Sequence, residues 1–199
     1  MEAFKRIEAV ALPLATINID TDQVVPGRYL QKPRSDNFGN YLFRDLRLRA
    51  DGTENPDFAL NRPEWRASRI IVAGRNFGCG SSREHAVWAL FDHGFRAAIA
   101  PSFGDIFVGN SLKNGFLPVV LPEAVVTSTL AYLLAHPGSR ITVDLQTQTV
   151  TLPDSGEHAF DIAPFARRCL LEGLDEIDYT LTHLAELQAF ERRHAAAGY

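Results

Sequence analysis

The segment from residue 69 to residue 93 constrains the fold most, because its hydrophobic pattern changes twice within 25 residues. It begins with an apolar run, Arg69-Ile70-Ile71-Val72-Ala73, which predicts a buried strand. A glycine-rich stretch, Gly74-Arg75-Asn76-Phe77-Gly78-Cys79-Gly80, follows it. Apolar residues then recur at positions 86, 87, 90 and 91, which is the spacing of a helix. The sequence therefore predicts a strand, a tight loop and a helix over 81–93.

Short strand-like and helix-like segments alternate along the rest of the chain. The predicted elements are a strand over 4–14, a strand over 97–100, a helix over 105–113, a strand over 117–121, a helix over 125–135, a hairpin over 141–152 and helices from residue 164 onward. This alternation favours an α/β fold with partly parallel strand pairing. The 199 residues, 46% apolar and 22% charged, predict a single domain over 1–199.

The end of the glycine-rich loop has the features of an anion site. Ser81 and Glu84 have the spacing of a capping box, which places the predicted helix start at or near Ser81. Gly78 and Gly80 lack the Cβ atoms that would keep an anion away from the backbone N–H groups. The helix N-terminus adds partial positive charge, and Arg83 adds a full one. We expect a site for a carboxylate, a phosphate or a deprotonated hydroxyl.

Three better-known loops do not match this segment. A P-loop requires Gly-Lys, and no lysine is present. A dinucleotide-binding loop and a nucleophile elbow each require a glycine at the position that Arg83 occupies. What remains is a hydroxyl beside a guanidinium, an arrangement in which a serine alkoxide is least unfavourable and can accept a proton from carbon.

Composition excludes several other classes of function. A net charge of −4 disfavours binding to nucleic acid or to an anionic membrane. No apolar run approaches the roughly 20 residues that span a bilayer, and no signal-peptide pattern opens the chain. The two cysteines, Cys79 and Cys169, suit a reducing cytoplasm and are too few for an iron–sulfur cluster.

Four segments together resemble one protein family. They are Asn18–Leu30, Gly74–His85, Ala100–Phe107 and Asn114–Pro118. In order and content they are similar to the swivel domain of the aconitase superfamily, and specifically to the small subunits of 3-isopropylmalate dehydratases. The resemblance covers most of the chain. It implies a three-layer β/β/α swivel domain with a mixed sheet and flanking helices.

The resemblance also implies roles for individual residues. Ser81 matches the catalytic base, Ser82 and Arg83 match residues that hold substrate carboxylate oxygens, and Asp22 matches an active-site support, with Gly78 and Gly80 supporting the loop. The segment that carries Arg28, Gln31 and Arg34 faces the variable substituent of the substrate. The uncharged Gln31 between two arginines indicates an apolar substituent.

The implied reaction is a dehydration followed by a rehydration of a hydroxy-diacid, in the leucine pathway. In this superfamily a [4Fe–4S] cluster acts as Lewis acid on the leaving hydroxyl. We expect no cofactor or metal site in this chain, so the resemblance implies a separate large subunit that carries the cluster, in a heterodimer or heterotetramer.

Other functions and plainer explanations stay open from the residues alone. A related hydratase for a diacid such as citraconate is possible, as is a serine hydrolase that pairs Ser81 with His85 or His93, or a non-catalytic anion-binding module. Cys79 is expected to be a packed thiol, the two histidines to lack a third metal ligand, and Asp20 to be a turn residue. The apolar stripe at 177, 181, 184 and 187 is expected to be a packing face, within the chain or toward a partner.

Overall fold

The computed structural model describes residues 1–34, 37–81 and 83–196. Its strands are β1 (Arg6–Leu14), β2 (Ile70–Ala73), β3 (Ala97–Ala100), β4 (Leu117–Val120), β5 (Arg140–Asp144), β6 (Thr149–Leu152) and β7 (Gly156–Ala159). Its α-helices are α1 (Thr21–Val24), α2 (Arg44–Arg47), α3 (Glu84–His93), α4 (Asp105–Lys113), α5 (Glu123–Ala135), α6 (Pro164–Glu172), α7 (Glu176–Thr182) and α8 (Leu184–Ala196). Short 3-10 turns lie at Gly27–Tyr29, Phe38–Tyr41 and Ala59–Asn61.

The strands form a mixed sheet in the order β4-β3-β2-β1-β5-β6-β7. Strand β1 joins two halves of this sheet. Its residues 11–14 pair in parallel with β2, whereas its residues 6–10 pair antiparallel with β5. The parallel half, β1 to β4, therefore ends in one row of loops at its carboxyl edge, where α/β proteins bind ligands.

The core lies on both faces of the parallel strands, because neighbouring residues of a strand point to opposite faces. Ile71 and Ala73 contribute to one buried cluster, and Ile70 and Val72 to the other. Helix α3 covers the first face with Ala86, Val87, Ala89 and Leu90. Helix α5 covers the second face with Val126, Leu130 and Leu133. The predicted α/β class, with a mixed sheet and flanking helices, is confirmed.

Most predicted elements are present within a few residues of their expected bounds. Helix α3 ends at His93 and is capped by Gly94, whose φ of 113° lets its N–H bond to the carbonyl groups of Leu90 and Phe91. Strand β7 was not predicted, because its Gly-Glu-His-Ala sequence has no apolar alternation and its residues are largely exposed. It exists because it pairs with β6.

The C-terminal helices α7 and α8 leave the predicted apolar stripe largely uncovered. Ile177 is 72% exposed and Leu181 is 56% exposed, while Leu184 and Leu187 are somewhat less so. Within the described chain the stripe is therefore not a core face. None of the helices in the described ranges is both long and apolar enough to cross a membrane.

Candidate active site

The candidate site is built from the loops that follow β1 and β2. These loops run side by side past the carboxyl edge of the sheet, so that the strand pairing continues beyond the strands themselves. The Gly78 N–H donates to the Ile19 carbonyl over 2.7 Å, and the Thr21 N–H donates to the Cys79 carbonyl over 2.9 Å. This pairing fixes the start of α1 beside the predicted anion loop.

Ser81 lies at the exposed end of this paired segment. Its carbonyl oxygen accepts a hydrogen bond from Thr21 Oγ1 over 3.1 Å, and the Thr21 side chain is buried. The Ser81 residue is exposed, and its hydroxyl makes no hydrogen bond to any described residue. The backbone of Ser81 is thus anchored while its side chain is open to a second molecule. Ser82 lies outside the described residues.

The capping box predicted from Ser81 and Glu84 is wrong. Helix α3 begins at Glu84, and the residue before it, Arg83, is extended and makes no side-chain cap. The Glu84 carboxylate does not reach back toward the loop, because its Oε1 accepts from Asn114 Nδ2 over 2.7 Å. Since the effect of a helix dipole falls off within its first turn, Ser81 receives less of it than the sequence suggested. Arg83 is left as the main local positive charge.

Arg83 forms an ion pair with Asp22 across the two loops. Its Nη1 donates to Asp22 Oδ1, and the Arg83 side chain is only 20% exposed against 55% for Asp22. Nε and Nη2 of Arg83 make no hydrogen bond to the described residues. The guanidinium is therefore held in place by one carboxylate and retains donors for a second one.

Gly27 lies directly beside this ion pair. A Cβ at Gly27 would lie 3.3 Å from Asp22 Oδ1 and 3.7 Å from Arg83 Nη1. Thr21 and Gly27 both contact the site, yet the sequence argument did not single them out. The only signal for them was their place inside the first of the four recognised segments.

The two loop glycines serve the backbone and the core. Gly78 has a φ of 72°, and a Cβ there would lie 2.6 Å from Phe107 Cδ2, well inside van der Waals contact. Gly80 has a φ of 98°, but a Cβ there would meet nothing closer than 3.5 Å. The prediction that Gly78 opens the backbone to an anion is wrong, because the ring of Phe107 fills that space.

The loop predicted to face the substrate holds both of its arginines in ion pairs. Arg28 makes a two-pronged pair with Asp45, which raises the pKa of its guanidinium further above its usual value. Arg34 makes a similar pair with Asp92, at 2.7 Å from Nη2 and 3.2 Å from Nε. Gln31 between them is exposed and makes no hydrogen bond within the described chain. The structure does not bring these three side chains together with Arg83 in any direct contact among the described residues.

The two helix histidines have packing partners. The His85 ring lies 4.6 Å from the Trp88 ring, centroid to centroid. His93 Nδ1 lies 3.3 Å from the Gly39 carbonyl, and burial, with Arg47 nearby, lowers the pKa of its imidazole. His93 is nine residues beyond the start of α3, roughly 14 Å along the helix at about 1.5 Å per residue. It is therefore too far from Ser81 to act as its general base.

Metal-binding groups do not converge within the described part of the chain. Among the residues that the structure describes, no three histidine, cysteine, aspartate or glutamate side chains are arranged to hold a metal ion. Cys79 and Cys169 are both free thiols, and burial raises the pKa of the Cys169 thiol. The residues present do not fit an iron–sulfur cluster, which takes three or four thiolates.

Comparisons with known proteins identify the family of this chain. The family model for the aconitase C-terminal domain matches residues 1–124, and the LeuD_N model matches residues 130–164. A 3-isopropylmalate dehydratase small subunit from Chloroflexus aurantiacus is 48% identical over 98% of this chain and 96% of its own length. One from Dinoroseobacter shibae is 45% identical over 99% of this chain and 98% of its own length.

A solved structure gives the same answer for the fold. The crystal structure of a 3-isopropylmalate dehydratase from Methanocaldococcus jannaschii superposes with a TM-score of 0.66 at 25% sequence identity. The match covers 94% of this chain and 99% of that one. The chain therefore belongs to the aconitase superfamily and, within it, to the family of 3-isopropylmalate dehydratase small subunits.

Proposed function

We propose that this chain is the small subunit of a cytoplasmic 3-isopropylmalate dehydratase, which interconverts 2-isopropylmalate and 3-isopropylmalate in leucine biosynthesis. All 199 residues form one swivel domain in this proposal. The observation that carries it is the pairing of Arg83 with Asp22 beside the exposed Ser81, which puts a cation and an open hydroxyl at one edge of the sheet.

Ser81 is the acid–base group in this proposal. Its Oγ accepts a proton from one substrate carbon during dehydration, and it returns a proton to the adjacent carbon during rehydration. The positive charge of Arg83 favours the alkoxide form, because a nearby opposite charge stabilises the ionised state of a group. The free Nε and Nη2 atoms of Arg83 donate to a substrate carboxylate, together with the Ser82 hydroxyl.

The reaction also requires a large subunit. Ser81 lies on an open surface, and this chain lacks the thiolates for a cluster, so the other wall of the active site belongs to a partner. We expect that partner to hold the [4Fe–4S] cluster, which supplies the Lewis acid for the hydroxyl group. The small chain contributes the proton transfer and the residues that bind the substrate carboxylate.

The substrate loop favours an apolar substituent. Arg28 and Arg34 flank Gln31, and aspartates already neutralise both, whereas Lys32 beside it forms no ion pair with a described residue. A third substrate carboxylate bound by either arginine would have to compete with Asp45 or Asp92. An isopropyl group has no such requirement, and neither does the methyl group of 2-methylmalate, the substrate of a citraconate-type hydratase. Turnover of both compounds by the reconstituted pair distinguishes these two substrates.

The test of the proposed function is Ser81→Ala in the complex with the large subunit. Formation of the unsaturated diacid can be followed by its ultraviolet absorbance. We expect turnover to fall by roughly 10²–10⁴-fold, the usual contribution of a general acid–base group, with assembly unchanged. Ser155→Ala, an exposed serine before β7, is the matched control and should retain wild-type turnover.

Three results would contradict the proposal. Near wild-type turnover by Ser81→Ala would remove Ser81 from the proton transfer. Ester hydrolysis by this chain alone, with acylation of Ser81 by a serine-directed probe, would point instead to the hydrolase. Carboxylate binding by the isolated chain without any activity in the complex would leave only an anion-binding module.

A further inference from the structure

The side-chain amide of Asn114 has every hydrogen-bonding position filled. Its Oδ1 accepts from Trp88 Nε1 over 3.1 Å and from Arg34 Nη1 over 3.4 Å. Its Nδ2 donates to Glu84 Oε1 over 2.7 Å and to the Asn110 carbonyl over 2.9 Å. An asparagine amide has two donors and two acceptor lone pairs, so nothing is left over.

These partners also fix the orientation of the amide. Trp88 Nε1 and Arg34 Nη1 are donors only, whereas Glu84 Oε1 and the Asn110 carbonyl are acceptors. Turning the Asn114 amide over would place donors against donors and acceptors against acceptors. A single orientation is therefore stable, and aspartate in its place loses both donated bonds.

The amide joins parts of the chain that are far apart in sequence. Glu84 is the first residue of α3, directly after Arg83, and it lies 30 residues from Asn114. Arg34 belongs to the substrate-facing loop and lies 80 residues from Asn114. Arg34 is held further by its pair with Asp92 on α3. Asn114 thus connects the loop to the end of α3 that carries Arg83.

We infer that Asn114 is a positioning residue of the proposed active site, because its four-fold hydrogen-bonded amide sets the substrate loop and the Ser81–Arg83 segment in one fixed arrangement. Asn114 opens the fourth of the recognised segments, Asn114–Pro118, to which no role had been assigned. It touches neither Ser81 nor Arg83 and acts through Glu84 and Arg34. The inference rests on the proposed function for its catalytic consequence.

The sharpest test exchanges donor and acceptor. Asn114→Asp places a carboxylate oxygen against Glu84 Oε1 and the Asn110 carbonyl, so the two bonds from Nδ2 become repulsive. In the reconstituted complex we expect kcat/KM to fall by about 10- to 100-fold, mainly in kcat, since a displacement of about 1 Å at a catalytic group costs up to about 10² in rate. Adding Glu84→Gln restores a donor opposite Asp at position 114. This double variant should recover to within about threefold of wild type.

A control separates positioning from a loss of stability. Asn110→Asp makes the same chemical change one turn earlier on α4, where the side chain makes no hydrogen bond to described residues, and it should leave kcat unchanged. The expected pattern is a loss of kcat in Asn114→Asp with unchanged assembly and with recovery in the double variant. A double variant no more active than Asn114→Asp, or an Asn114→Asp enzyme within twofold of wild type, would overturn the inference.

A second readout does not depend on the reaction. The chain has two tryptophans, so the indole N–H signal of Trp88 can be assigned in the isolated chain with Trp88→Phe. A charged acceptor at position 114 should move that signal downfield, while Asn110→Asp should leave it in place. An unmoved signal would overturn the network itself. A moved signal together with an inactive wild-type complex would instead refute the proposed function and leave the network standing.

Discussion

Gly78→Ala gives the most direct test of how the candidate site is built into the core. The sequence suggested that Gly78 clears space for an anion, whereas the structure fills that space with the ring of Phe107. The substitution should therefore act on the free energy of unfolding. Its magnitude can be worked out from two separate costs.

The first cost is conformational. A non-glycine residue in the left-handed region costs roughly 1–2 kcal/mol, and Gly78 has a φ of 72°. The second cost is steric. A Cβ at Gly78 would lie 2.6 Å from Phe107 Cδ2 and 2.8 Å from its Cδ1. The ring cannot turn away freely, because it packs edge-on against Phe77 at a centroid distance of 5.4 Å. Overpacking of this kind costs about 1–3 kcal/mol, so the sum is about 2–5 kcal/mol.

Two other glycines isolate these costs in the same chain. Gly80 has a φ of 98°, but a methyl group added there would have no neighbour closer than 3.5 Å, so Gly80→Ala should lose only about 1–2 kcal/mol. Gly109 lies within α4 and is not left-handed, and a Cβ there would meet no atom beyond its own helix backbone within 4 Å. Gly109→Ala should therefore raise the free energy of unfolding by about 0.5–1 kcal/mol.

The assay is urea unfolding of the three isolated variants, with the midpoint and slope fitted together. The expected order of stability is Gly109→Ala, then wild type, then Gly80→Ala, then Gly78→Ala. If Gly78→Ala loses no more than Gly80→Ala does, the steric argument fails and Phe107 does not fill the space beside the loop.

Two further predictions concern ionisable groups. Asp22→Asn should change the free energy of unfolding by less than about 1 kcal/mol, because the Asp22 carboxylate is 55% exposed and exposed ion pairs contribute little. It should also lower kcat/KM in the complex, and full activity would show that Asp22 does not orient Arg83. The lowered pKa of His93 means that the unfolded chain binds its proton more readily, near pH 6.5, so stability is lost as the pH falls below that value toward the folded-state pKa. The free energies of unfolding of wild type and His93→Gln, measured in urea, should diverge between pH 7.5 and pH 5.5, with wild type losing more stability. A difference that is independent of pH would contradict the burial of His93.

The elements that the sequence predicted well are those that short-range patterns specify. The strand over residues 70–73 and the helix that Gly94 caps follow from local hydrophobic spacing and from a glycine at a helix end. The predicted start of the same helix was wrong, although Ser81 and Glu84 have the required spacing. A capping box needs the glutamate side chain to be free, and the partner that removes it, Asn114, lies 30 residues away.

The candidate site shows the same division between local and distant information. Ser81 and Arg83 were identifiable because they sit together in one short segment. Asp22 was named only through the resemblance to the family, since it lies 61 residues from Arg83 and contacts it only after β1 and β2 have paired. The need for a glycine at position 78 was missed for a similar reason, because Phe107, whose ring fills the space beside it, belongs to α4. The spacing of residues along a chain carries no information about such long-range contacts.

The pairing of Arg83 with Asp22 has a calculable consequence for substrate binding. A mobile arginine loses roughly 2 kcal/mol of side-chain conformational entropy when it is fixed. Here Arg83 is already fixed through Nη1 and is only 20% exposed, so this cost falls on folding and not on binding. At about 1.4 kcal/mol per tenfold change, 2 kcal/mol corresponds to roughly 30-fold in affinity for a carboxylate. Asp22→Asn keeps the size of the side chain but weakens its hold on the guanidinium, so we expect a loss of about 10- to 30-fold in kcat/KM. Because the free Nε and Nη2 atoms remain, the loss should not approach that of Ser81→Ala; an equal loss would mean that Asp22 takes part in the chemistry directly.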